Sequence, residues 1–122
     1  MILADTSVWV DHLNAGDTRL AELLNRGLVL VHPCVIGELA LGSLRQRELI
    51  LGALSELPGS VVATDSEVLA FIDSHKLFGR SIGYVDAHLL AAARLTSGAK
   101  LWTRDTRLHR AAEDLGVAFA AS

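Results

Sequence analysis

The sequence predicts an α/β fold, a three-layer α/β/α sandwich built on a central parallel sheet of about five short strands. Two observations carry that expectation. The chain opens on an apolar run, Met1 to Ala4, that stops at a carboxylate, Asp5. Short apolar runs of this kind then alternate with longer stretches of helical periodicity to the end of the chain. The length of 122 residues fits one domain spanning 1–122. A domain of that size buries roughly two-thirds of its unfolded surface, enough for a proper core.

After the first strand, Val8 to Leu13 reads as a short helix broken by Asn14-Ala15-Gly16. Asp17 is a candidate N-cap for Thr18 to Arg26, with Leu20, Leu23 and Leu24 on one face and Gly27 as the stop. Leu28 to Val31 is the second strand candidate, and Pro33 suits the first turn of a helix running to Leu41. Arg45 to Leu57 has helical spacing of apolar residues and ends at Pro58-Gly59. Val61 to Ala63 is a brief β-branched strand candidate. Thr64 with Glu67 makes a capping box for a helix reaching Leu77. A loop containing Arg80 follows, between Gly79 and Gly83. Tyr84 to Thr96 is a strongly apolar helix closed by Gly98, Lys100 to Thr103 a fourth strand, Asp105 to Leu115 a basic helix, and Val117 to Ala120 a final strand.

Composition narrows the function classes. Net charge is −3 and the isoelectric point about 5.9, so no global basic field advertises nucleic acid, although Arg104, Arg107 and Arg110 form a local cluster. The single cysteine, Cys34, allows no intrachain disulfide and fits a reducing compartment. No apolar run is long enough for a membrane span, and no basic region precedes the first apolar run, so the expected location is the cytoplasm. A mean hydropathy of +0.38 suggests an apolar face that a partner covers.

Four isolated acids share one pattern: Asp5, Glu38, Asp86 and Asp105 each stand at a strand end or in a helix, among apolar residues. Each has an ordinary reading. Asp5 and Asp105 suit N-caps, and Asp86 suits the first turn of a helix. Glu38 is harder to place, being the one charge in Val35-Ile36-Gly37-Glu38-Leu39-Ala40-Leu41. Taken together they point to convergence on a divalent cation. Two carboxylates about 4 Å apart repel by roughly 4 kcal/mol at an effective dielectric near 20, so a cation must sit among such a group or some of it must stay protonated. All-oxygen ligation selects Mg²⁺ or Mn²⁺ over zinc. Thr6, Ser7 and Thr103 offer hydroxyls that could orient the acids.

The other chemically suggestive residues read as structural. His88, two positions from Asp86, points about 200° away from it on a helix and reads as a satisfied, partly buried histidine. His12, His32, His75 and His109 show no metal-ligand spacing. Cys34, Trp9 and Trp102 read as core. Arg80, Arg104, Arg107 and Arg110 suit either a solvated face or contact with RNA phosphates or an acidic partner.

These residues resemble the PIN-domain ribonucleases, specifically the VapC-type toxins of type II toxin–antitoxin systems. The resemblance rests on Asp5-Thr6-Ser7, Glu38-Leu39-Ala40-Leu41-Gly42, Asp86-Ala87-His88-Leu89-Leu90-Ala91-Ala92-Ala93 and Thr103-Arg104-Asp105, in this order along the whole chain. It implies a parallel sheet with the first strand in its middle and the acids at the sheet's carboxyl edge. It also implies Mg²⁺- or Mn²⁺-dependent cleavage of RNA to 5′-phosphate and 3′-hydroxyl ends, a homodimer, and a cognate VapB-like antitoxin. By the family pattern Asp5, Glu38, Asp86 and Asp105 are the catalytic and metal-binding set, with Ser7 and Thr103 in support. Two rival readings differ in class. A receiver-type signalling domain also has an acidic Mg²⁺ pocket, but it would pair acids at the first strand and phosphorylate an Asp after the third. A non-catalytic PIN-like module would bind a partner through its apolar face.

Overall fold

The computed structural model describes residues 1–120. Three parallel strands form the sheet: β1 (Ile2–Ala4), β2 (Val29–Leu30) and β3 (Lys100–Trp102), in the order β2-β1-β3. Ile2 and Leu3 face Val29 and Leu30 on one side, while Ile2, Leu3 and Ala4 face Lys100, Leu101 and Trp102 on the other. β1 therefore lies in the middle, buried at every position. A strand covered on both faces reads as an unbroken apolar run, which explains why Ile2-Leu3-Ala4 shows no alternation.

The expected third strand, Val61 to Ala63, does not form: the one bridge at that edge pairs Val31 with Gly59, just before it, and the expected final strand is reduced to a single parallel bridge of Leu101 with Ala118. The reason differs at the two edges. Val61 and Val62 are 45% and 52% exposed, so their β-branched side chains have no layer to pack against. At the other edge, Leu101 N donates to Val117 O and Phe119 N to Leu101 O, a contact that spans only one residue of β3.

Among the described residues seven helices connect and cover the strands: α1 (Thr6–Ala15), α2 (Thr18–Asn25), α3 (Pro33–Ala40), α4 (Arg47–Ser55), α5 (Asp65–Ser74), α6 (Tyr84–Leu95) and α7 (Thr106–Asp114). Their starts follow local chemistry. Asp17 accepts from Leu20 N, and Thr64 and Glu67 form the capping box reciprocally. α1 begins two residues earlier than its apolar pattern indicates because Asp5 caps it, accepting from Val8 N. α4 begins later than its pattern, at Arg47, because Gln46 adopts a left-handed conformation with φ 52°. Gly116, at φ 73°, turns the chain out of α7, a conformation glycine takes without steric cost.

One core joins the strands to α1, α2, α3, α6 and α7. Leu3, Leu90, Leu101 and Leu108 are fully enclosed, each stabilising the fold by about 2–3 kcal/mol relative to exposure. α6 is the most deeply set helix, buried continuously from Ala87 to Ala93. No helix among the described residues is long and apolar enough to cross a membrane.

Candidate metal centre

The carboxyl edge of the sheet gathers three strand ends. Asp5 follows β1, His32 lies two residues beyond β2, and Thr103 follows β3. Asp5 is buried and tightly held. Its Oδ1 accepts from Ser7 Oγ at 2.5 Å and from Val8 N at 3.3 Å, and its Oδ2 accepts from Thr103 Oγ1. Ser7 and Thr103 are themselves fixed, because Arg104 N donates to Ser7 Oγ and Asp105 N to Thr103 Oγ1. The β1–α1 junction and the β3–α7 junction thus form one hydrogen-bonded unit around a single carboxylate.

The other three acids are each bonded through one oxygen. Glu38 Oε1 accepts from Thr6 Oγ1 at 2.5 Å, Asp86 Oδ2 from Gly83 N at 3.1 Å, and Asp105 Oδ1 from Arg107 N and Leu108 N. Among the described residues their remaining oxygens, Glu38 Oε2, Asp86 Oδ1 and Asp105 Oδ2, have no partner within the chain. No arginine, lysine or histidine forms an ion pair with any of the four acids among the described residues.

Asp86 senses the whole group. Partial burial raises the pKa of its carboxyl above the ordinary value, against the opposing hydrogen bond from Gly83, and the charges of Asp5, Asp105 and Glu38 raise it further. That is the arrangement a cation would relieve. The donor set fits a hard divalent ion: carboxylate oxygens and hydroxyls, with uncompensated negative charge. Among the described residues no three of these acids bring their oxygens within 4.8 Å of one another. A cation held by acids spaced this widely would keep several of its waters, as Mg²⁺ does.

Glu38 does not meet the expectation of an enclosed acid. α3 turns Val35 and Leu39 into the core at (i, i+4) spacing and leaves Glu38 exposed, as Asp105 also is. The apolar run around Glu38 reflects a helix whose outer face is itself apolar, with Leu41 at its end 90% exposed.

The basic residues divide. Arg104 reaches back to Asp11 at 3.0 Å and Asp17 at 2.6 Å, and its guanidinium lies over the Trp102 ring. Arg80 pairs with Asp114 at 2.8 Å. Arg107 and Arg110 project from α7, exposed and without an ion pair among the described residues. Trp9 and Trp102 are core side chains, as their sequence setting indicates.

The histidine reading needs correction. His32 and His88 are buried, and with Cys34 they place donor atoms within 4.8 Å of one another. Among the described residues two ring nitrogens, His32 Nε2 and His88 Nδ1, have no hydrogen-bond partner. Spacing along the chain could not reveal this group, since the start of α3 supplies two members and α6 the third. The one local signal was His32-Pro33-Cys34 at a helix start.

Comparison with known proteins agrees with the geometry. The chain matches the PIN domain family over residues 2–114. It is 51% identical over 120 residues to ribonuclease VapC32 of Mycobacterium tuberculosis, in strains CDC 1551 / Oshkosh and ATCC 25618 / H37Rv, covering 98% of this chain and 97% of the relative. The crystal structure of FitAcB from Neisseria gonorrhoeae shares the fold, with a TM-score of 0.64 at 23% identity, over 97% of this chain and 95% of that one. The family match over residues 2–114 and the 51% identity over nearly the whole chain lead to one conclusion: the chain belongs to the PIN-domain family and is of the VapC type.

Proposed function

We propose that this protein is a Mg²⁺- or Mn²⁺-dependent endoribonuclease, the toxin of a toxin–antitoxin pair, with Asp5, Glu38, Asp86 and Asp105 as its metal-binding and catalytic set. The observation that carries the reading is the Asp86 carboxyl: burial raises its pKa, the charges of Asp5, Asp105 and Glu38 raise it further, and among the described residues no ion pair offsets any of the four acids. When bound, the metal would lower the pKa of a water and neutralise charge on the phosphate under attack. The chain's own contribution is positional. Ser7 and Thr103 fix Asp5 in one orientation, and Thr6 fixes Glu38. The oxygens of Glu38, Asp86 and Asp105 that lack partners are the ones available to the cation or its waters. Arg107 and Arg110 would meet the RNA backbone.

On this reading residues 1–122 act as one unit, in the cytoplasm, as a homodimer, with RNA as substrate and a cognate VapB-like antitoxin as partner. Asp5→Asn tests the site. Asparagine remains a good N-cap for α1, so the fold should survive. The expected result is loss of Mg²⁺-dependent cleavage of an RNA substrate, with an unchanged circular dichroism spectrum. Full cleavage by the folded variant would overturn the assignment.

A further inference from the structure

The geometry points to a second cation site, for a zinc-class ion, formed by His32, Cys34 and His88 where the start of α3 meets α6. Their donor atoms lie within 4.8 Å of one another, and His32 and His88 are 1% and 8% exposed. Buried imidazole nitrogens ordinarily find a partner. Here, among the described residues, His32 Nε2 and His88 Nδ1 both lack one, and the two rings share a cluster with the Cys34 thiol.

The surroundings of His88 prepare it for this role. Its Nε2 is 3.0 Å from Asp65 Oδ1, and Tyr84 Oη donates to the same oxygen at 2.7 Å. A carboxylate behind one ring nitrogen fixes the tautomer in which the other carries the lone pair, a common setting for histidine ligands of zinc. On His32, Nδ1 accepts from Cys34 N at 3.0 Å, so Nε2 holds the ring proton in the free protein. Loading the site moves that proton to Nδ1, releases the bond from Cys34 N, and expels the thiol proton to solvent. Two nitrogens and one sulfur then face the cation, with water as a fourth ligand through the partly open side at Cys34. Tetrahedral zinc sets such donors about 3.3–3.6 Å apart, a separation that the cluster reaches by side-chain adjustment.

Nitrogen and sulfur ligation separates this site from the oxygen ring of the nuclease centre. The two are joined mechanically, since Glu38 lies one turn beyond Cys34 on α3 and Asp86 lies two residues before His88 on α6. An ion at His32, Cys34 and His88 would therefore fix the spacing of the two acid-bearing helices.

Co²⁺ added to the reduced full-length protein is the direct probe. The wild type should show the near-ultraviolet absorption of a thiolate bound to Co²⁺, and Zn²⁺ should abolish it by displacement. Cys34→Ser should remove that absorption and weaken Zn²⁺ binding at least tenfold, as should His88→Gln, while Asp5→Asn keeps both properties. Absence of the band in folded, reduced wild type, unchanged Zn²⁺ affinity in Cys34→Ser, or loss of the band in Asp5→Asn would each overturn the site. Because Asp5→Asn tests the nuclease centre and Cys34→Ser this one, the two proposals fail separately.

Discussion

Thr103 Oγ1 donates to Asp5 Oδ2 across 98 positions of sequence, tying the end of β3 to the end of β1. Asp5 is thereby held by two hydroxyls, from Ser7 and Thr103, as well as by the amide of Val8. Thr103→Val keeps the shape and removes the donor. Cleavage should fall about 10–100-fold, the usual effect of losing a group that orients a metal ligand. Thr103→Ser should recover most of it. Initial rates on one RNA substrate at saturating Mg²⁺ decide the matter, with thermal melting to confirm folding.

Asp86 gives a prediction with a definite sign. Its pKa is raised in the folded chain, so the folded state holds this proton more tightly than the unfolded one. The resulting stabilisation is fully present below the unfolded value near 3.8 and is lost as pH rises through the folded value. At neutral pH the ionised carboxylate therefore opposes folding. Asp86→Asn should melt higher than wild type at pH 7 while losing activity, and the difference should shrink as pH falls below 3.8. Millimolar Mg²⁺ should raise the wild-type melting temperature and leave the variant nearly unchanged.

The arginines should separate by role. Arg104 makes two ion pairs, with Asp11 and Asp17, so Arg104→Ala should cost about 1 kcal/mol of stability at low salt and less at high salt. Arg107→Ala should leave melting unchanged, weaken RNA binding, and reduce the salt slope of that binding by about 1. An unaltered slope would mean that Arg107 touches no phosphate.

Leu101 is fully buried in β3, between Leu3 of β1 and the turn at Val117 to Phe119. Leu101→Ala should destabilise the protein by about 2–5 kcal/mol in urea unfolding, with little change in the slope against denaturant.

Local chemistry was readable where a few adjacent residues decide the outcome. Thr64 and Glu67 announce their helix, Asp17 caps the one after it, and Gly116 ends α7. The alternation of strands and helices, and the N-cap roles of Asp5 and Asp105, were readable for the same reason. What the chain does not display locally is tertiary. Val61 and Val62 have strand-forming side chains and no neighbour to pair with. Glu38 stands in an apolar run that looks internal, yet α3 rotates it to the surface because Val35 and Leu39 claim the core. His32 and His88 are 56 positions apart, and only the fold brings their rings to 6.1 Å between centroids. Arg104 reads as a free cation until the fold supplies Asp11 and Asp17.

The central place of β1 has a consequence for the newborn chain. One neighbour of this strand, β2, follows after about 27 residues, but the other waits for residues 100–102. Closing the longer connection costs about 1 kcal/mol more in chain entropy. At a synthesis rate of about 5–20 residues per second, Asp5 is made roughly 5–20 s before Thr103 and Asp105. A ribosome-bound fragment can build the first half of the sheet and still lack half of its acidic edge. On the proposed assignment, the capacity to cut RNA arrives only with the last fifth of the protein.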